Sequence, residues 1–333
     1  MRNKKKILSA VVHSMHLIRF LSPVIRPRLI VFNYHRIRSD NDTGCSLYDD
    51  DVFGPTAASF REQMNWLKRY IGIISEDELI EYLNFRAFPP GINVLITFDD
   101  GYIDNYKLAF PILKELGIPA IFFVPTYMIN TRQLGWWDIL AYIIKNTASP
   151  DVSFAGRSYD LRAGRSRTIR TLQSIMRTLR PAEISGAIEY LARACRVPLP
   201  DHEEQGSQLM TWKHIREVSD NGIRIGSHTH THRSLSFIRP QEQLEEMVVS
   251  KYILERKTGA PVKSIAYPIG DYRFVSRYTA ELAEKSGYEA GFSFNTGINI
   301  RKIDRYDIKR IHVFNGVSML SAAIMFPRLF TWK

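Results

Sequence analysis

The chain has 333 residues, 45% hydrophobic and 24% charged, the proportions of an ordinary globular protein with room for one large α/β domain or two modest ones. Two cysteines, Cys45 and Cys195, exclude a disulfide framework and a cysteine-type metal site, and the count fits a reducing compartment. The formal net charge of +11 is uneven: residues 1–38 carry nine Lys and Arg and no acid, and residues 157–196 carry nine Arg against Asp160, Glu183 and Glu189. Such blocks attract anionic surfaces.

The first stretch, MRNKKKILSAVVHSMHLIRFLSPVIRP, begins like a secretory signal but has no small-x-small cleavage site and is interrupted by His13, His16 and Arg19. It is short and polar for a transmembrane helix. Ile7, Val11, Ser14, Met15 and Ile18 share one helical face, so residues 1–28 suit an amphipathic helix on a membrane interface or on the protein's own surface. A signal anchor stays open. From residue 29 onward, short apolar runs alternate with helical spacing. Leu29–Tyr34, Gly72–Ile74, Asn93–Phe98, Ala120–Pro125, Gly222–Ser227, Val262–Tyr267, Ala290–Phe294 and Ile308–Val313 predict buried strands. Thr56–Tyr70, Ser75–Asn84, Asp104–Leu116, Thr211–Asn221, Pro240–Thr258 and Arg273–Ser286 predict helices, with Gly222, Gly259 and Gly287 where helices should stop. Repeated βα order with doubly buried strands predicts a parallel α/β barrel or open sheet over residues 29–315. Residues 138–208 break the alternation. They show no strong strand signal, read as largely helical, and predict an insertion forming a helical lid or subdomain. Residues 316–333 suit a second amphipathic segment, a C-terminal tail with the same two readings.

Two strand ends carry chemistry. Asn93–Phe98 runs into Asp99-Asp100-Gly101, and adjacent acids at the carboxyl end of a buried strand are costly unless paired. Either one could simply cap the next helix. Gly222–Ser227 runs into HTHTH, His228 to His232. On a strand all three imidazoles would share a face, whereas on a helical turn His228 and His232 would meet and His230 would point away. A solvated loop is the bland alternative. Taken together, an Asp and two His make a divalent-metal shell with open positions, and the metal reading prevails.

TFDDG (Thr97–Gly101) followed by SHTHTHRSL (Ser227–Leu235) resembles the first two motifs of the NodB-like polysaccharide deacetylases, carbohydrate esterase family four. FNYHRI (Phe32–Ile37), FFVPT (Phe122–Thr126), YPIGDY (Tyr267–Tyr272) and RIHV (Arg310–Val313) extend the likeness over roughly residues 29–315. The resemblance implies a distorted (β/α) barrel of seven or eight strands. It implies that Asp100, His228 and His232 hold a divalent metal, usually zinc, with cobalt, nickel or manganese as alternatives. Asp99 would be the general base, and His230 occupies a variable position outside the shell. Two departures stand out. Aligning on Pro268 and Gly270 puts Ala266 where the family's arginine partner of the base would be, so Asp99 is expected to lack it. It also puts Ile269 where the aromatic would be, leaving the Ile269 N–H as the oxyanion donor, beside Tyr267. The family's leaving-group acid can be matched only to His312. Trp136 of Gly135-Trp136-Trp137 suits a pyranose face, and His35, at a strand end, suits the mouth of the same site.

These assignments imply removal of N-acetyl groups from an N-acetylated glycan or a lipid-linked saccharide. O-deacetylation, or a non-catalytic glycan-binding barrel, are the alternatives. The basic blocks suggest docking on an anionic membrane surface by a cytoplasmic or inner-membrane-peripheral protein. No aromatic residues interleave with the Arg run as in single-strand platforms, so nucleic acid is not an expected partner.

Overall fold

Alternation along seven strands builds both layers of this molecule. The computed structural model describes residues 27–42, 46–271, 275–300 and 302–313, with Leu320 and Ile324 beyond them. The predicted amphipathic helix and most of the tail lie outside the described residues. In chain order the strands are β1 (Arg28–Tyr34), β2 (Arg36–Arg38), β3 (Phe53–Thr56), β4 (Gly72–Ile73), β5 (Ile92–Phe98) and β6 (Ile121–Val124). There follow β7 (Asp151–Phe154), β8 (Arg157–Asp160), β9 (Arg224–Ser227), β10 (Ser264–Ala266), β11 (Ala290–Thr296), β12 (Asn299–Ile300) and β13 (Ile308–His312). Parallel neighbours run β1, β13, β11, β10, β9, β6, β5, and β5 pairs back onto β1, closing a ring. The predicted strand at 72–74 lies outside that ring: β4 pairs with the lower end of β5, at Asn93 and Val94. The fold is a distorted (β/α) barrel of seven parallel strands.

Side chains of one parity fill the barrel. Leu29, Val31, Leu95, Ile121, Phe123, Phe292 and Ile308 form a buried cluster with Leu79 and Leu83, from the helix Glu76–Phe85, which stoppers the N-terminal mouth. Gly226 has no Cβ because the Phe123 ring occupies that space. The opposite parity, including Ile30, Phe32, Val94, Ile96, Phe122 and Val124, packs outward against the helices. Those helices start where capping predicts: Thr56 and Ser75 accept backbone N–H bonds from Ser59 and Glu78, and Glu78 returns a bond to Ser75. Gly259, at φ 73, ends the helix Pro240–Thr258.

Between β6 and β9 run the helices Thr126–Thr131, Trp136–Asn146, Arg165–Met176, Pro181–Cys195, His202–Ser207 and Trp212–Asp220. The expectation of no strand there is corrected by the antiparallel hairpin β7–β8. Its turn is Ala155-Gly156, both at positive φ (50 and 73), which supplies the twist a two-residue hairpin needs. Val152 is its one buried residue, so little apolar alternation marked it. Most arginines of the run 157–196 are exposed; Arg177 instead reaches the cavity described next.

Candidate metal centre

The C-terminal ends of the ring strands open into a cavity of about 260 Å³. Asp99 continues β5 for one residue, its N–H donating to the Tyr34 carbonyl (3.0 Å), so it keeps the inward parity of Leu95 and Thr97. Asp100 then turns into left-handed backbone (φ 72). On β9 the His228 N–H donates to the Val124 carbonyl (3.1 Å), after which Thr229 (φ 62) and His232 (φ 57) take left-handed backbone too. The stretch is therefore neither strand nor helix. Its turns carry His232 back to His228, their ring centroids 4.7 Å apart. His230 leaves the site: its Nδ1 lies 2.8 Å from Thr126 Oγ1 and its ring stands edge-on to Tyr127.

Asp100, His228 and His232 bring one ligand atom each to within 4.8 Å of one another. The His228 Nδ1–H donates to the Ala266 carbonyl (2.7 Å), which can only accept; this fixes the tautomer and leaves the Nε2 lone pair facing Asp100 at 3.4 Å. His232 Nε2 lies 3.2 Å from the same Oδ1. That oxygen is buried and completes no hydrogen bond. An orphaned carboxylate oxygen facing imidazole nitrogens is costly without a cation and natural with one, and an O,N,N set suits a first-row divalent metal. Burial pushes the Asp100 carboxyl up, but the two imidazoles hold it well below the usual carboxylate range. Burial pushes both imidazoles down; beside Asp99 and Asp100, His228 ends above its ordinary value while His232 stays below.

Asp99, 1% exposed, has a partner after all. Arg310 Nη1 donates to its Oδ1 at 2.8 Å, and Asn33 Nδ2 donates to its Oδ2 at 3.2 Å. Arg310 is itself anchored by donating to the Ser293 carbonyl (3.0 Å) and to Asn33 Oδ1 (3.1 Å). Ala266 does occupy the position aligned with the family arginine, so the expectation of an unpartnered base is corrected: the guanidinium comes from β13, two strands around the ring. Burial pushes the Asp99 carboxyl up; Arg310, then His228 and His35, outweigh it and hold the carboxyl below its ordinary value. The missed arginine carried a signal. Ile308, Arg310 and His312 share the inward parity of a buried strand, where an arginine needs an anion.

The remaining candidates divide. His35 lines the cavity with its Nε2 4.0 Å from Asp99 Oδ2. His312 lies behind it, ring centroids 5.8 Å apart; it does not line the cavity, and burial pushes its imidazole down to about 4. Trp136 is a half-buried wall residue. Trp137 packs its ring 4.5 Å from His232 and donates through Nε1 to Tyr102 Oη (2.9 Å). Tyr267 is fully buried, its hydroxyl over Gly291, where a Cβ would collide with it. Ile269 borders the cavity in left-handed backbone (φ 62), unusual for a β-branched residue. Asp49 and Arg177 also line the cavity, unforeseen from sequence.

Residues 89–291 match the family described as polysaccharide deacetylase. YxkH of Bacillus subtilis (strain 168), whose name assigns it to the polysaccharide deacetylases, is 26% identical over 292 residues, 87% of this chain and 73% of that protein. The poly-beta-1,6-N-acetyl-D-glucosamine N-deacetylase of Staphylococcus aureus (strain MSSA476) is 31% identical over 119 residues, 34% of this chain and 41% of that protein. Among solved structures, the Streptococcus pyogenes deacetylase PplD in complex with acetate superposes with a TM-score of 0.58 at 19% identity, over 92% of this chain and 100% of that one. IcaB from Ammonifex degensii gives 0.56 at 20% identity, over 90% and 98%. At these identities the two superpositions show the fold. No helix among the described residues is long and apolar enough to cross a membrane.

Proposed function

We propose a function on the premise that the chain belongs to the polysaccharide deacetylase family: it is a metal-dependent hydrolase that removes N-acetyl groups from an N-acetylated glycan. The observation that carries this reading is the orphaned Asp100 Oδ1 facing His228 and His232 beside a second carboxylate, Asp99, held by Arg310. The N-deacetylase name of the Staphylococcus aureus relative supports an amide rather than an ester as the bond cleaved.

Zinc or another first-row divalent cation held by Asp100, His228 and His232 would supply Lewis acidity toward a carbonyl oxygen and water. The protein's own groups do the rest. Asp99, ionised under Arg310 and oriented by Asn33, accepts the proton of the attacking water. Ile269 lines the cavity, and we assign its backbone N–H as the donor to the oxyanion. We assign protonation of the leaving amine to His35 rather than His312, since His35 faces the cavity and His312 sits behind it. Trp136 offers an apolar face to the pyranose ring.

The test is mass spectrometry of N-acetylhexosamine oligosaccharides incubated with purified protein, with and without chelator. We expect loss of one acetyl mass per turnover, abolished by chelator. In Asp99→Asn turnover falls at least about a hundredfold while bound metal is retained. Acetyl release that survives both chelation and Asp99→Asn would overturn the assignment.

A further inference from the structure

The loop from Ser46 to Val52 joins β2 to β3 and forms part of the cavity wall through Asp49 and Val52. Helices between β6 and β9 hold it from outside. Lys145 pairs with Asp50 Oδ2 (2.9 Å) and donates to the carbonyls of Ser46 (2.9 Å) and Tyr48 (2.5 Å). The Tyr48 hydroxyl donates to Glu204 (3.3 Å), and Arg170 lies 3.8 Å from Asp51. Asp50 and Asp51 are thus drawn toward the helices, and Asp49 is left facing the cavity at 5% exposure.

Its carboxylate is fixed but not saturated. Oδ1 accepts from the Asp51 N–H (3.1 Å), Oδ2 accepts from Gln173 Nε2 (2.7 Å), and the Asp49 N–H donates to Asp138 Oδ1 (3.1 Å). A carboxylate offers about four acceptor sites, so lone pairs remain on both oxygens. Capping the short turn that follows would explain the bond to Oδ1 alone. It would not explain a buried carboxylate held from behind by Gln173 in the wall that also contains Trp136. A buried acceptor lining the same cavity as an aromatic side chain suits a sugar ring, whose edge carries hydroxyl donors.

We propose that Asp49 is a specificity-determining residue, its carboxylate accepting hydrogen bonds from ring hydroxyls of the sugar that carries the acetamide; this rests on the function proposed above. Gln173 and Asp138 are positioning residues for it.

The test measures binding separately from turnover. Zinc-loaded Asp99→Asn protein is titrated with the methyl glycoside of N-acetylglucosamine and with analogues that each lack one ring hydroxyl, read by saturation-transfer NMR. With Asp49 present, removal of at least one hydroxyl should weaken binding about tenfold or more, because a buried acceptor is left unpaired. Adding Asp49→Ala should weaken the parent sugar by a similar factor and erase the discrimination, with zinc content unchanged and thermal unfolding lowered only by the lost bonds from Gln173 and the Asp51 N–H. Asp49→Asn, which keeps Oδ1 for the Asp51 N–H, gives the same readout with a smaller loss should Asp49→Ala not fold. Unchanged discrimination in the variant, equal binding of all analogues to the parent protein, or no binding of the sugar overturns the proposal. Discriminating binding without acetyl release by the wild-type protein would support Asp49 and strike only the deacetylase reading.

Discussion

The two mouths of the barrel both gather ionisable groups, and they treat them in opposite ways. At the N-terminal mouth Asp77 pairs with Arg224, at the start of β9, and with Lys263 (2.8 Å), just before β10. Glu76 lies buried beside this cluster, and burial raises its carboxyl to about 7 against the pull of nearby Arg224 and Lys263. At the C-terminal mouth, Asp100, Thr229, His232 and Ile269 all hold left-handed backbone with side chains larger than glycine, and the unbonded Asp100 Oδ1 faces two imidazole nitrogens at 3.4 and 3.2 Å. Charge matched by countercharge is accounted for by the fold; strained backbone with converging lone pairs is not, and belongs to function. The difference predicts that changes at the upper mouth cost turnover, and that changes at the lower mouth act on stability alone.

The largest effect should come from His228→Ala/His232→Ala. Elemental analysis should find the bound metal gone and turnover abolished, while His230→Ala, whose ring faces Thr126, keeps its metal. Equal metal in the double variant and the wild type would erase the contrast between the mouths. Arg310→Met sharpens it. The change strands Asp99 as a buried anion, so turnover should fall about 10–100-fold and denaturant unfolding should register a loss of about 3–5 kcal/mol. Adding Asp99→Asn should recover the stability but not the rate. Recovery of both would mean that Asp99 is not the base.

The smallest effect lies at the other mouth, in Glu76→Gln. Glu76 titrates near 4.5 when unfolded and near 7 when folded, so between these values the folded state holds a proton that the unfolded state has released. Its contribution to stability is therefore present below about 4.5 and is lost as pH rises through 7. The glutamine variant lacks this loss. Its unfolding free energy relative to wild type should rise by about 1–3 kcal/mol across that window, with turnover untouched. A pH-independent difference would place the Glu76 carboxyl in water.

The ring and the metal half of the site were legible because both are local: apolar runs mark the strands, and Asp99-Asp100 and His228 to His232 each sit at one strand end. The other half is not local. Asn33 and Arg310 meet across 277 residues, and the family likeness pointed to β10 for an arginine that β13 supplies. Only the inward parity of Arg310 betrayed it. His35 and His312 both follow apolar runs, and nothing in their spacing tells which ring reaches the cavity and which sits behind. The hairpin β7–β8 escaped because Ala155-Gly156 is a weak turn signal and its strands bury almost nothing.

β13 is the last ring strand to be made, yet it sits between β11 and the first, β1. During synthesis Asp100, His228 and His232 leave the ribosome well before Arg310 does. A nascent chain that already carries all three therefore has an open sheet, with Val31–Asn33 of β1 and the facing edge of β11 awaiting β13, and an Asp99 without its guanidinium. Closure of the ring and the pairing of Asp99 with Arg310 are one event, and on the function proposed above a chain interrupted before Ile308 would hold the three ligand candidates without an armed base.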